Sequence, residues 1–404
     1  VYTEAFNTLV VKPLTRSDGF LSTFVKCEKI DASKADPVPR VIQPRNPRYN
    51  LEVAAYLKPH EKEFYRRIDK MWDTDGLGDK TVFKGLNASQ TAEHLLLKAS
   101  RYTNPVFVGL DASRFDQHVS DVALEWEHQI YINSFKYGRN KLAQLLSWQV
   151  DNVGRCFLPD GRIKYRVRGR RMSGDMNTSL GNCLLMSSMV HAYMRQKQIP
   201  CSLANNGDDC VLIFEKKHLK RTSDLSDWFA EMGFKMVRED PLYDIRQVPF
   251  CQVNVLTSPD HNICVRDPIV ATSKDLHSAF SFTHQFQFTQ WLSSVGMCGR
   301  LSNSGVPILE QFYKCFPDVT VTDKTMLLDM DREQEFAMVG GQCVDSISDE
   351  MRHSFWRAFG HTPDAQIALE KLFEGIKFSD TLGNVGAVPY VNLLQGIRLF
   401  EQLK

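Results

Sequence analysis

No apolar run in this chain approaches the ~20 residues that a membrane-crossing helix needs, so no span is expected. Among ten cysteines, scattered from Cys27 to Cys343, no Cys-x-x-Cys pair occurs. That scatter speaks against a structural zinc site and fits a reducing compartment. Internal repeats and low-complexity stretches are missing too, and the composition excludes a disordered, collagen-like or coiled-coil chain. No basic-then-apolar leader opens the sequence, so secretion of this segment is not expected. It begins at Val1 rather than Met, and the expectation is a piece of something longer. Charge of one sign is also lacking: 49 Lys and Arg stand against 48 Asp and Glu, a net +1. What remains is an ordinary globular mix, 43% hydrophobic, 24% charged and 11% aromatic over 404 residues. That length exceeds one compact core and implies two or three subdomains.

The distribution of charge says more than its sum. Arg155, Arg162, Lys164, Arg166, Arg168, Arg170 and Arg171 face one acid, Asp160, in a single short stretch. A second segment, Lys26 to Arg48, holds six basic residues and three acids. Local basic segments in a near-neutral protein point to a positively charged channel for a polyanion; two solvated charge runs are the plain alternative. Pro37, Pro39, Pro44 and Pro47 predict an extended loop in the second segment.

Val106 to Leu110 reads as a buried strand running into Asp111, and Val119, Val122, Ala123, Trp126 and Ile130 follow at the spacing of one helix face. Cys156 to Arg171 reads as a hairpin turning at Pro159-Asp160-Gly161, with Lys164, Arg166, Arg168 and Arg170 on one face. A helix is predicted from about Thr178 to Arg195, then strands Ile199–Leu203 and Cys210–Phe214 joined by the turn Asn205–Asp209. Asp224 to Met232 reads as a helix closed by Gly233, with a strand at Phe234–Val237. Beyond residue 256 the pattern is mixed, apart from an amphipathic helix at Ile367–Ile376.

Asp111 at a strand end and Asp208-Asp209 at a hairpin tip are acids that repel unless a cation neutralises them. If Asp111 lies beside Asp208 on adjacent strands, the cluster can hold two Mg²⁺ and serve an in-line displacement at phosphorus. By chance a Gly-Asp-Asp triplet arises in roughly one chain in ten of this length, and an Asp-x4-Asp pair such as Asp111 and Asp116 about once per chain. Neither is evidence alone. The segment Ser173 to Asn182 adds Thr178 and Asn182, four apart and so on one helix face. They are either helix caps or, with Ser173 and Asp116, partners for a ribose hydroxyl.

In order the chain carries FVKCEK with PRVI, DASRFD, SGDMNTSLGN, GDD, GFK and FCQ. Over Phe24 to Leu256 this resembles the viral RNA-dependent RNA polymerases, most closely the replicases of tombusvirus-like positive-strand RNA plant viruses. The resemblance implies an α+β right-hand fold: fingers at 1–104 (an incomplete N-terminal part), palm at 105–136, a fingers insertion with the basic hairpin at 137–172, palm again at 173–256, and a mostly helical thumb at 257–404. It implies Asp111, Asp208 and Asp209 as ligands of two Mg²⁺, with Mn²⁺ as the substitute, and Lys235 as the proton donor to pyrophosphate. Lys26, Lys29 and Arg40 would grip the triphosphate, while Asp116, Ser173, Thr178 and Asn182 would read the ribose. Phe250-Cys251-Gln252 would support the growing 3′ end. Lys164, Arg166, Arg168 and Arg170 would track RNA through its phosphates. Template, nascent RNA, ribonucleoside triphosphates and other replicase proteins are the implied partners. The implied place is the host cytoplasm, with membrane association supplied by regions outside this chain. The family's polymerases carry more sequence before the first basic motif, and the last ~150 residues match no motif residue by residue. A non-catalytic RNA-binding scaffold or inactive polymerase fragment is the first alternative. A reverse transcriptase is less favoured, because Asp116 with Asn182 suits a 2′-hydroxyl.

Overall fold

The computed structural model describes residues 1–29, 38–73, 76–279, 282–321, 344 and 346–378. The chain forms two compact units, Val1–Phe83 with Tyr102–Pro241, and Lys84–Arg101 with Leu242–Lys404. Both helix and sheet contribute, an α+β composition. Residues 84–101 belong to the C-terminal unit, and the main division falls between Pro241 and Leu242.

The first unit begins with helix α1 (Tyr2–Val11), strand β1 (Leu21–Val25) and strand β2 (Val41–Ile42). Helices α2 (Pro47–Leu57) and α3 (Glu61–Trp72) follow, while α4 (Ala88–Ser100) belongs to the second unit. The proline-rich segment is therefore extended only as far as Asn46. Pro47 opens α2, where its missing N–H costs nothing, and the Asn46 side chain caps Arg48 N at 2.9 Å. Pro37 lies outside the described residues. Strand β3 (Pro105–Ala112) leads through the short helix α5 (Phe115–His118) into α6 (Asp121–Ser134) and α7 (Arg139–Val150). The hairpin β4 (Asp151–Leu158) and β5 (Gly161–Arg168) precedes α8 (Thr178–Gln196), β6 (Cys201–Asn205), β7 (Asp209–Glu215), α9 (Leu225–Glu231) and β8 (Met236–Arg238).

Two four-stranded sheets organise this unit, in the orders β2-β1-β4-β5 and β6-β7-β3-β8. In the second, β3 is central and antiparallel to both neighbours. Val106, Val108 and Leu110 of β3 and Leu212 and Phe214 of β7 are fully shielded and join one core with α6, α7 and α8. In the first sheet Gly154 faces Tyr165 across the hairpin, and a Cβ there would lie 2.1 Å from the ring. Only glycine lets Tyr165 lie across β4 and reach Thr23 Oγ1 at 2.6 Å.

Helix α6 exists where the apolar spacing predicts it, but a different face is buried. Val122 and Trp126 are exposed, whereas Leu124, Glu127, His128 and Tyr131 are buried. The spacing misled because the core-facing side carries a charge and an imidazole, which hydrophobic periodicity scores as solvent.

In the second unit, β9 (Val253–Thr257) and β10 (Asn262–Arg266) form a hairpin against α4. From residue 267 onward the described elements are helices: α10 (Pro268–Lys274), α11 (Gln285–Ser302), α12 (Leu309–Lys314), α13 (Asp349–Phe359) and α14 (Pro363–Glu374). Phe312 sits in their core, edge-on to Phe316 and Phe373. Cys251 and Gln252 both take positive φ, 54° and 64°, in a tight turn closed by reciprocal bonds between Phe250 and Val253. Phe250 itself is buried.

Candidate active site

The register of the β6-β7-β3-β8 sheet sets the geometry. Asp111 lies at the exposed end of β3 and is the direct cross-strand partner of Asp209, the first residue of β7. Asp208 precedes it in the β6–β7 turn, exposed to solvent. That turn is built by Asn205, whose buried amide donates to Gly207 O at 2.7 Å, while Asn206 N donates to Asp209 O at 2.9 Å. Gly207 has φ 98°, which a side chain would strain. The acids are thus presented by a rigid sheet end, as placing reactive groups requires.

Asp116 sits on α5, entered through Arg114 in a left-handed conformation. Its Oδ1 accepts from Asn182 Nδ2 at 2.8 Å. Burial raises the Asp116 pKa above the ordinary carboxylate value; the Asn182 bond and Arg171 oppose this, and the Asp208 charge adds to it. Asp208 therefore acts electrostatically on Asp116.

Behind this pair lies a buried polar network. Arg171 Nε donates to Asn182 Oδ1 at 3.1 Å, and its guanidinium grips Glu127 through two further bonds, one of 3.1 Å from Nη1 to Oε1. Asn177 donates to Glu127 at 2.9 Å and accepts from Gln149 at 2.8 Å. Burial alone would lift the Glu127 pKa, but the Arg171 charge and bonds win and hold it below the ordinary value. A second buried arginine, Arg45, pairs with Asp175 and donates to Asn152 Oδ1 at 2.6 Å. Arg171 and Arg45 both come from the two basic segments, yet neither is a surface charge.

The other expected site residues are placed as follows. Ser173 Oγ accepts from Gln43 N at 3.2 Å, and Thr178 Oγ1 lies 2.9 Å from the carbonyl oxygens of both Met172 and Asp175. Thr178 thus ties the loop to the first turn of α8. Arg40 binds Glu28 in fork geometry and Lys26 approaches the same carboxylate at 3.9 Å. The Arg40 bond, over the opposing effect of burial, lowers the Glu28 pKa. Lys29 is half-buried. Lys235 is exposed, and its carbonyl accepts from Ser113 N at 3.0 Å, just past the end of β3. On the hairpin, Arg166 pairs with Asp151 at 2.7 Å and Arg168 with Asp121 at 2.6 Å, so half the expected basic row is neutralised within the fold. Lys164 and Arg170 are exposed, and Arg170 lies beyond the strand with φ 74°.

One further acid belongs to this sheet face. Glu239 N donates to Gly109 O at 3.0 Å, and a Cβ on Gly109 would lie 1.9 Å from Glu239 Oε2. Partial desolvation there, then the charges of Asp111 and Asp209, raise the Glu239 pKa. Among the described residues no three acid, histidine or cysteine side chains form a ready-made metal cage. Few carboxylates at an open sheet end fit Mg²⁺, which takes its remaining ligands from water and substrate phosphates. No described helix is long and apolar enough to cross a membrane.

A family profile described as viral RNA dependent RNA polymerase matches residues 1–380. The chain belongs to that family. RNA-directed RNA polymerases of Pothos latent virus, tobacco necrosis virus strain A and turnip crinkle virus are 44%, 43% and 40% identical to it over 92–93% of its length. The alignments cover 49%, 52% and 48% of those proteins, so the chain spans about half the length of these curated relatives. The similarity includes the C-terminal region, where motif reading alone matched nothing.

Proposed function

We propose that this chain carries out template-directed RNA synthesis: the 3′-hydroxyl of nascent RNA attacks the α-phosphorus of a ribonucleoside triphosphate and releases pyrophosphate. The observation that carries this reading is the register that sets Asp111 against Asp209, with Asp208 adjacent and Asp116–Asn182 within its field. Asp111, Asp208 and Asp209 would hold two Mg²⁺, which when bound activate the attacking hydroxyl and neutralise the leaving oxygen. The chain's own residues do the rest. Asp116, held by Asn182, accepts the ribose 2′-hydroxyl. Thr178 and Ser173 fix the loop on which that contact depends. Lys235, exposed beside the sheet end, gives its proton to pyrophosphate. Lys26, Lys29 and Arg40 hold the triphosphate, and Arg40 does so by exchanging Glu28 for phosphate.

In this reading the first unit supplies fingers and palm of a right hand, and the helical second unit supplies the thumb. Lys164 and Arg170 contact RNA phosphates directly, while Arg166 and Arg168 must first leave their acids. The setting is a cytoplasmic replication complex with other replicase proteins, tethered to membrane through regions outside this chain.

Primer extension on an RNA template tests the reading. Incorporation should follow the template base, require Mg²⁺ or Mn²⁺, and stop on chelation. Efficient use of deoxyribonucleotides would point to a reverse transcriptase, and RNA binding without synthesis to a scaffold or inactive fragment.

A further inference from the structure

The amide of Asn182 has two faces, and only one of them suits Asp116. Arginine carries donors and no acceptor, so the Asn182 atom facing Arg171 Nε at 3.1 Å is the oxygen. The amide nitrogen is then turned to Asp116 Oδ1 at 2.8 Å, leaving the other carboxylate oxygen for a substrate hydroxyl. Arg171 has no freedom to turn away. Its guanidinium is pinned by both oxygens of Glu127, and its backbone N–H donates to Asp116 O at 2.9 Å. Glu127 is held by Asn177, Asn177 by Gln149, and the Gln149 oxygen faces His128 Nε2 at 3.2 Å. The side chains of Asn182, Arg171, Glu127, Asn177, Gln149 and His128 are more than nine-tenths buried. Gly181 makes room: a Cβ there would stand 2.3 Å from Arg171 Nη2 and 2.5 Å from Glu127 Oε1.

We infer that Arg171, braced by Glu127, is a positioning residue for sugar selection: it fixes the Asn182 amide so that Asp116 is free to accept a 2′-hydroxyl. Released from Arg171, the amide could turn its oxygen to the Asp116 carboxylate. Two acceptors would then face each other, and the carboxylate would shift from its place. The effect acts through Asn182 and Asp116 and requires a 2′-hydroxyl to be felt. The inference rests on the proposed reading of those two residues as the groups facing the ribose.

The test is single-nucleotide incorporation by the full chain, comparing kcat/KM for a ribonucleoside triphosphate and its 2′-deoxy counterpart. Arg171→Lys keeps a cation for Glu127 but cannot serve Glu127 and Asn182 together. It should lower the ribonucleotide value about tenfold and leave the deoxyribonucleotide value near wild type, since one oriented hydrogen bond is lost. Glu127→Gln, which keeps the side chain's size, should shift the ratio in the same direction by less, and it decides the matter if a melting curve shows Arg171→Lys unfolded. A parallel fall for both substrates, or an unchanged ratio in both variants, would overturn the inference. Asn182→Ala separates the two levels. If it collapses the ratio while Arg171→Lys and Glu127→Gln preserve it, only the positioning role is lost. If it too leaves the ratio unchanged, the ribose-reading assignment fails and the inference with it.

Discussion

Glu239 and Gly109 show how single residues shape the acidic sheet end. Gly109 leaves space that Glu239 fills, and this adds a carboxylate to the face that presents Asp111 and Asp209. Removing that charge weakens the pull on a divalent cation. Glu239→Gln should raise the Mg²⁺ concentration for half-maximal incorporation by roughly 3-fold, a modest effect because water screens the charges. A magnesium titration of primer extension checks it. Gly109→Ala should do much the same while leaving the melting temperature nearly unchanged, because the displaced group is the far end of a flexible side chain. Asp111, Asp116, Asp208 and Asp209 were legible as candidates because acids at strand ends and in turns are visible in the sequence. Glu239 was not, because nothing in its neighbours marks it as facing the same way as Asp111. The β3–β8 register alone reveals that.

At the scale of elements, the sequence pattern of the first unit located β3, β7, α8 and α9, shifted β6 and β8 by about two residues, and carried no expectation for α1, α2, α3 or α7. The turn at Pro159-Asp160-Gly161, the turn that holds Asp208 and helix α8 fall where turn residues and periodicity put them, whereas the hairpin runs from Asp151 to Arg168 rather than from Cys156 to Arg171. Helix α6 was found by its spacing but turned to the wrong side, since Glu127 and His128 occupy core positions. The basic segments were misleading in the same way, because composition does not separate a phosphate-binding arginine from a buried, paired one. In the second unit, close helix packing depends on glycines that no periodicity singles out. Gly296 and Gly299 of α11 admit Phe316 and Tyr313, and a Cβ at Gly299 would lie 2.0 Å from the Tyr313 ring. Gly299→Ala should therefore destabilise the protein by about 1–3 kcal/mol, read as a lower denaturant midpoint at an unchanged slope.

For the whole molecule, stability and pH are linked through the buried pair Glu127–Arg171. Breaking such a pair strands a charge, so Glu127→Gln should cost about 3 kcal/mol at neutral pH. The folded-state pKa of Glu127 is depressed, so its contribution is complete above the unfolded-state value and is lost as pH falls through the folded one. The difference in melting temperature between wild type and Glu127→Gln should therefore be largest near pH 7 and shrink on acidification below the ordinary glutamate range. A difference that grew toward acid would contradict the pairing.

The proposed activity itself stands or falls at Asp208. Incorporation of labelled ribonucleotides on a primed RNA template with Mg²⁺ should proceed for the wild-type chain. For Asp208→Ala it should drop by at least about 10³-fold, the loss expected when a metal ligand is removed from the reacting centre. Equal incorporation by both proteins would contradict the assignment of this acidic sheet end as the site of RNA synthesis.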